Sequence, residues 1–181
     1  MTKFLILFLI SIKTFSQTLD YEKQNEILEK VYYTDQELRK NKNGVTELEF
    51  NHQDSINLVT VDRLIKDFGF PSTKKINRKA YLGLFYAIQH SDIKHQSQYI
   101  NNFKTLADSG LLDVQKYAMM FDRILVGTVG KQKYGEQFYH DTTNNTLKYE
   151  PFINKDSVQI FRAQLGLKPI NLDVNINLIL K

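Results

Sequence analysis

Apolar residues along the chain recur at intervals of three and four far more often than they alternate, so the pattern predicts helices. Residues 19–41 carry Ile27, Leu28, Val31 and Leu38 among charges, with Gly44 as a stop. Inside that stretch Thr34-Asp35-Gln36-Glu37 has the spacing of a capping box, which allows a second helix to begin there. Asp54 can cap a helix whose face is Leu58, Val61, Ile65 and Phe68, ended by Gly69 and Pro71. Residues 77–90 form the next helix, apolar nearly all round from Ala80 and Tyr81 to Ile88, the mark of a central element. Ile93 to Ser109 is amphipathic through Tyr99, Ile100, Phe103 and Leu106, and closes at Gly110. Asp113 can cap a helix from Val114 to about Val126.

After Gly130 the period changes. Residues 136–140 and 146–149 flank Asp141 to Asn145 and read as a hairpin. Asp156 can cap a last helix through Phe161 and Leu165 to Gly166, and the alternation over Asn171–Asn177 suits a strand. The predicted fold class is mainly α: a compact multi-helix domain with one small β-hairpin in the C-terminal third.

Composition adds limits. The 181 residues make one domain. The absence of cysteine excludes disulfides, Cys-ligated metals and thiol chemistry. Lys3, the apolar run Phe4 to Ile12, and Thr14 and Ser16 read as a signal peptide over residues 1–16, cut ahead of Gln17. Lys13 ends the run far short of the roughly 20 apolar residues that span a bilayer. The mature protein, 17–181, is therefore expected to be a single globular domain, periplasmic or secreted, with no stable membrane anchor. Losing Lys3 and Lys13 leaves 22 basic against 20 acidic side chains, a balance of +2. With only five arginines, scattered along the chain, nucleic-acid binding is rejected.

Polar residues stand out of place at two points. Gln89, His90 and Asp92 follow a fully apolar run, and a histidine beside a carboxylate at a helix end can serve as a general acid or base. Alternatively His90 caps one helix and Asp92 the next. On the 114–126 helix, Asp122 lies at the edge of the stripe Val114, Tyr117, Ala118, Phe121 and Leu125. Arg123 lies almost opposite, beside Met119, Met120 and Val126, so it is expected to be buried and in need of a partner. Gly130 to Gly135 has a phosphate-loop spacing, but Glu136 and Gln137 follow where Lys and Ser/Thr are required. No nucleophile elbow or zinc helix is present, and His90, Asp92 and Asp122 are a chemically possible but disfavoured metal set. No metal or cofactor is expected.

Together the segments Asp35-Gln36-x-x-Arg39, Phe68-Gly69-Phe70-Pro71, Gln89-His90-x-Asp92, Tyr117-Ala118-x-x-x-Asp122-Arg123, Gln132-x-Tyr134-Gly135-x-Gln137 and Arg162-x-x-x-Gly166-Leu167 form a pattern. It resembles an uncharacterised bacterial family, a domain of unknown function often found behind export signals, over roughly residues 19–170. This chain departs from that family at Glu136, where Thr is usual, and at Phe70, where Trp is usual. Glu136 puts an extra carboxylate into the suspected site. The resemblance implies a shared site and brings no activity with it.

Two functions follow. The first is a hydrolase or transferase: His90 is acid or base, Asp92 or Asp122 orients it, Arg123 holds an anionic group, and Gln132 and Gln137 bind substrate. Gln89 and Tyr134 complete the ligand-binding set. The alternative is a non-catalytic envelope module binding a peptide, glycan, small molecule or partner protein through Tyr134, Phe138 and Tyr139. If neither holds, the cluster is structural, with Asp122 and Arg123 as buried partners that fix helix register and Gln132 and Gln137 satisfying backbone groups around the hairpin. Arg39 and Arg162 are read as scaffold.

Overall fold

The computed structural model describes the backbone of residues 2–40, 44–172 and 176–177, and the side chains of residues 21–40 and 44–172. It divides into two compact units, Met1–Ser91 and Asp92–Lys181. The side chains of the expected signal, residues 1–16, lie outside the described residues. Among the described residues no helix is long and apolar enough to cross a membrane.

The first unit is three helices: α1 (Thr2–Lys40), α2 (Glu47–Phe68) and α3 (Arg78–Gln89). α1 runs straight through Thr34, whose hydroxyl turns back toward the Lys30 and Val31 carbonyls instead of capping a new helix. The capping box actually used is Thr46-Glu47-Leu48-Glu49. The Thr46 hydroxyl accepts from the Glu49 amide, and the Glu49 carboxylate accepts from the Thr46 amide. α2 therefore starts two turns before Asp54, which caps nothing. It buries Asn57, Val61 and Leu64, a face rotated from the expected Leu58 and Ile65.

α3, capped by Asn77, buries Ala80, Tyr81, Leu84, Phe85, Ala87 and Ile88, as an element apolar on all sides should. It packs chiefly on α1. The two backbones meet at Gly83, where a Cβ would lie 2.0 Å from the Leu28 carbonyl oxygen.

The second unit pairs α4 (Ile93–Asp108) with α5 (Val114–Val129), capped by Asp92 and Asp113. α5 runs about one turn past the expected end and stops at Gly130 in the left-handed conformation. β1 (Phe138–Asp141) and β2 (Thr146–Tyr149) form the expected antiparallel hairpin, with Phe138 opposite Tyr149 and Asp141 opposite Thr146. β3 (Ile176–Asn177) joins the other edge of β2, within the predicted tail strand. Asn154 replaces Asp156 as the last cap. Its side chain accepts from the Asp156 and Ser157 amides, and a 3₁₀ turn at Lys155–Ser157 leads into α6 (Val158–Gln164). Ala118, Tyr134 and Leu167, with Val114, Phe121, Phe161 and Leu165 around them, form a core of this unit.

Candidate functional site

In the first unit the inward stripe of α1 reads Gln24, Leu28, Val31, Asp35, all buried. A carboxylate in that stripe must be compensated. Gln36 Nε2 donates to Asp35 Oδ2 at 2.9 Å, and Arg39 Nε, one turn on, donates to Asp35 Oδ1 at 2.9 Å. The same guanidinium reaches α2, where its Nη2 lies 2.9 and 3.2 Å from the two Asp54 oxygens. Its flat face rests on the Phe50 ring, 5.5 Å from the centroid.

The C-terminal end of α3 completes the cluster. His90 is the C-cap, and its amide donates to the Tyr86 carbonyl at 3.0 Å. Its ring lies parallel to that of Tyr86, with centroids 6.1 Å apart. Nδ1 stands 2.7 Å from Arg39 Nη2, 3.2 Å from Asp35 Oδ1 and 3.5 Å from Asp54 Oδ1. Nε2 makes no hydrogen bond among the described residues. The His90 side chain keeps 18% of its surface and that of Arg39 32%, so both are reachable from solvent.

Burial disfavours the imidazolium, but the Asp35 and Asp54 carboxylates outweigh burial and the charge of Arg39, and the His90 pKa lies above its ordinary value. For Asp35 burial pushes upward. The hydrogen bonds from His90, Gln36 and Arg39 prevail and hold the carboxyl below its usual range. One helix each supplies Asp35, Asp54 and His90, and one ligand atom of each lies within 4.8 Å of the others.

The other expected site residues fall differently. Asp92 is exposed and accepts from the His95 amide at 2.7 Å, capping α4. Gln89 is buried. Asp122, fully buried, accepts from three amides of the segment that leads into the hairpin: Lys133 at 2.8 Å, Tyr134 at 3.0 Å and Glu136 at 3.0 Å. Burial nonetheless leaves the Asp122 carboxyl above its ordinary pKa, against the pull of those amides. Gln132, also fully buried, donates to the Gln137 and Glu150 carbonyls and accepts from the Gln137 amide; Gln137 in turn donates to Met119 O on α5. Tyr134 is buried in the core against Phe121. These side chains tie α5 to the hairpin.

Arg123 is exposed, against the expectation that it is buried and needs a partner. Its half of α5, with Ile124 and Val126 only partly covered, faces outward enough for the guanidinium to remain hydrated. The buried arginine of this unit is Arg162. It donates to Lys168 O at 2.7 Å, to Tyr134 O at 2.5 Å and to Glu136 Oε1 at 2.7 Å. The extra carboxylate at Glu136 is thus the partner of a buried cation.

Sequence reasoning passed over Asp35 and Asp54 as site residues and read Arg39 as scaffold. A signal was present: Asp35 continues the spacing Leu28, Val31, Asp35 and Leu38, a charge within an apolar stripe.

The chain is thus mainly helical and carries an Asp–Arg–Asp–His cluster within its three-helix unit. The chain belongs to a family of unknown function, DUF6624, whose model matches residues 35–179 and so takes in Asp35, Arg39, Asp54, His90 and Arg162. No curated protein and no solved structure matches it.

Proposed function

We propose that the chain is a hydrolase or transferase acting on a small polar molecule, with His90 as its general acid–base. The observation that carries this reading is the His90 ring itself, whose Nδ1 lies 2.7 Å from Arg39 Nη2 and 3.2 Å from the buried Asp35 carboxylate, while Nε2 has no partner among the described residues. Arg39 can only donate, so the neutral ring accepts at Nδ1 and carries its proton on Nε2, the nitrogen available to pass one to a substrate, while the two carboxylates favour the protonated ring. Asp35 is the positioning residue, Asp54 adds negative charge, and Arg39 bridges the two carboxylates. Asp122, Gln132 and Gln137 support the fold of the second unit in this reading. We further propose that residues 1–16 direct export in a bacterium, placing the protein in the periplasm or outside the cell. Lys3 and the apolar run after it support this.

The test is turnover of chromogenic esters, phosphomonoesters and glycosides by the full chain, beside His90→Ala. Loss of a proton-transfer group lowers turnover by about 10²–10⁴-fold. Turnover that is the same in His90→Ala removes the reading.

A second reading is favoured by the hairpin, where Phe138 and Tyr139 each keep 41% of their surface. Flat aromatic groups of this kind suit a non-catalytic module for a peptide or glycan. Saturable binding that survives His90→Ala, with no turnover, supports it.

A further inference from the structure

The donor atoms of the first unit are spaced for something larger than a proton. Nδ1 of His90 lies 3.2 Å from Asp35 Oδ1 and 3.5 Å from Asp54 Oδ1. A metal ion with bonds of about 2.1 Å separates its neighbouring ligand atoms by about 3.0 Å in an octahedron and about 3.4 Å in a tetrahedron. The two measured separations therefore match edges of a coordination polyhedron, and the third pair lies within 4.8 Å.

We propose that Asp35, Asp54 and His90 form a binding site for a divalent transition-metal ion, which enters by displacing the Arg39 guanidinium. The inference is independent of the acid–base reading, because it concerns what these side chains bind and not what they turn over.

Three observations support it. The position is already one for a cation, since Arg39 Nη2 lies 2.9 Å from Asp54 Oδ1 and 2.7 Å from His90 Nδ1, and Arg39 Nε lies 2.9 Å from Asp35 Oδ1. The charges also fit. Two carboxylates against one guanidinium leave the cluster one negative charge in excess when the ring is neutral, and a dication in place of Arg39 cancels both. The ligands are oriented from behind as well: Gln36 holds the second Asp35 oxygen at 2.9 Å, and Tyr86 stacks on the imidazole.

Arg39 is the obstacle and is also able to move, being a third exposed and held at the surface end of the cluster. One imidazole with two carboxylates suits Zn²⁺ or Mn²⁺, whereas Mg²⁺ rarely takes imidazole. A ring ligated through Nδ1 cannot carry a proton there, so the bound ion and the proton compete.

The experiment is calorimetric titration of the full chain, stripped with chelator, against Zn²⁺, Mn²⁺ and Mg²⁺. Wild type is expected to bind one Zn²⁺ or Mn²⁺. Arg39→Met, which removes the competing cation, should bind at least tenfold more tightly. Asp35→Asn and His90→Gln should lose the site. Three results each overturn the proposal: no binding by wild type and Arg39→Met at millimolar ion, binding that persists in His90→Gln, or Mg²⁺ alone binding. Should Arg39→Met fail to fold, wild type and His90→Gln decide between them. None of these readouts needs turnover, so the failure of the acid–base reading leaves the result intact.

Discussion

At the scale of single residues, what a polar side chain does depends on which atoms it satisfies. Asp122 and Arg123 are neighbours in sequence and opposites in consequence. Asp122 is fully buried and receives three backbone amides, while Arg123 stands in solvent. Asp122→Asn offers one oxygen where two carboxylate oxygens accepted, and turns an amide group toward N–H donors. It is expected to cost about 3 kcal/mol, as unmade bonds to a buried charged acceptor do. Arg123→Ala should change stability by less than about 0.5 kcal/mol. Urea unfolding of both variants checks the pair.

His90 and Asp35 give the residue scale its pH dependence. The His90 pKa is raised in the folded chain, so its stabilisation is complete below the unfolded value of 6.5 and is lost as pH rises through the folded value. Asp35 is lowered, so its contribution is present above 3.8 and is lost as pH falls through its folded value. Stability in chelator is expected to decline from pH 6 toward alkaline pH and again in strong acid. His90→Gln should flatten the alkaline limb and also weaken the acid one, since His90 is one of the partners that hold Asp35 ionised; an unchanged alkaline limb in that variant would remove His90 as its cause.

At the scale of elements, the three-helix unit depends on a glycine. At Gly83 a Cβ would meet Leu28 O at 2.0 Å and Tyr32 N at 3.0 Å, both backbone atoms that cannot turn aside. Gly83→Ala must separate α1 from α3, and it is expected to destabilise by about 3 kcal/mol, although alanine favours the helix itself. The same scale shows what local patterning conveys. Helical spacing located every helix, because amphipathic period and caps are properties of neighbouring residues. It chose the wrong start for α2 and the wrong cap for α6, because Asp54 and Asp156 are as good capping types as Thr46 and Asn154. Only the packed helix shows that Asp54 is engaged with Arg39 and that Asn154 holds the 3₁₀ turn.

At the scale of the whole molecule, the buried positions of α1 begin, among the described residues, at Gln24. If export is correct, protein recovered from the envelope should begin at Gln17 by N-terminal sequencing, and recovery with the first residues intact would oppose it.

Fold class, hairpin and most helix limits were determined by the sequence alone, since each follows from periodicity and turn chemistry over a few neighbouring residues. His90 could be singled out for the same reason, as a polar end to an apolar run. Its partners could not. Asp35 and Asp54 lie 55 and 36 positions before it in the chain. They reach the imidazole because three helices cross, and no local pattern encodes that crossing. The tertiary structure likewise decided that Asp122, Gln132 and Gln137 serve the backbone. Whether a buried polar group is left available or fully hydrogen-bonded is settled by the atoms brought to it from elsewhere in the fold.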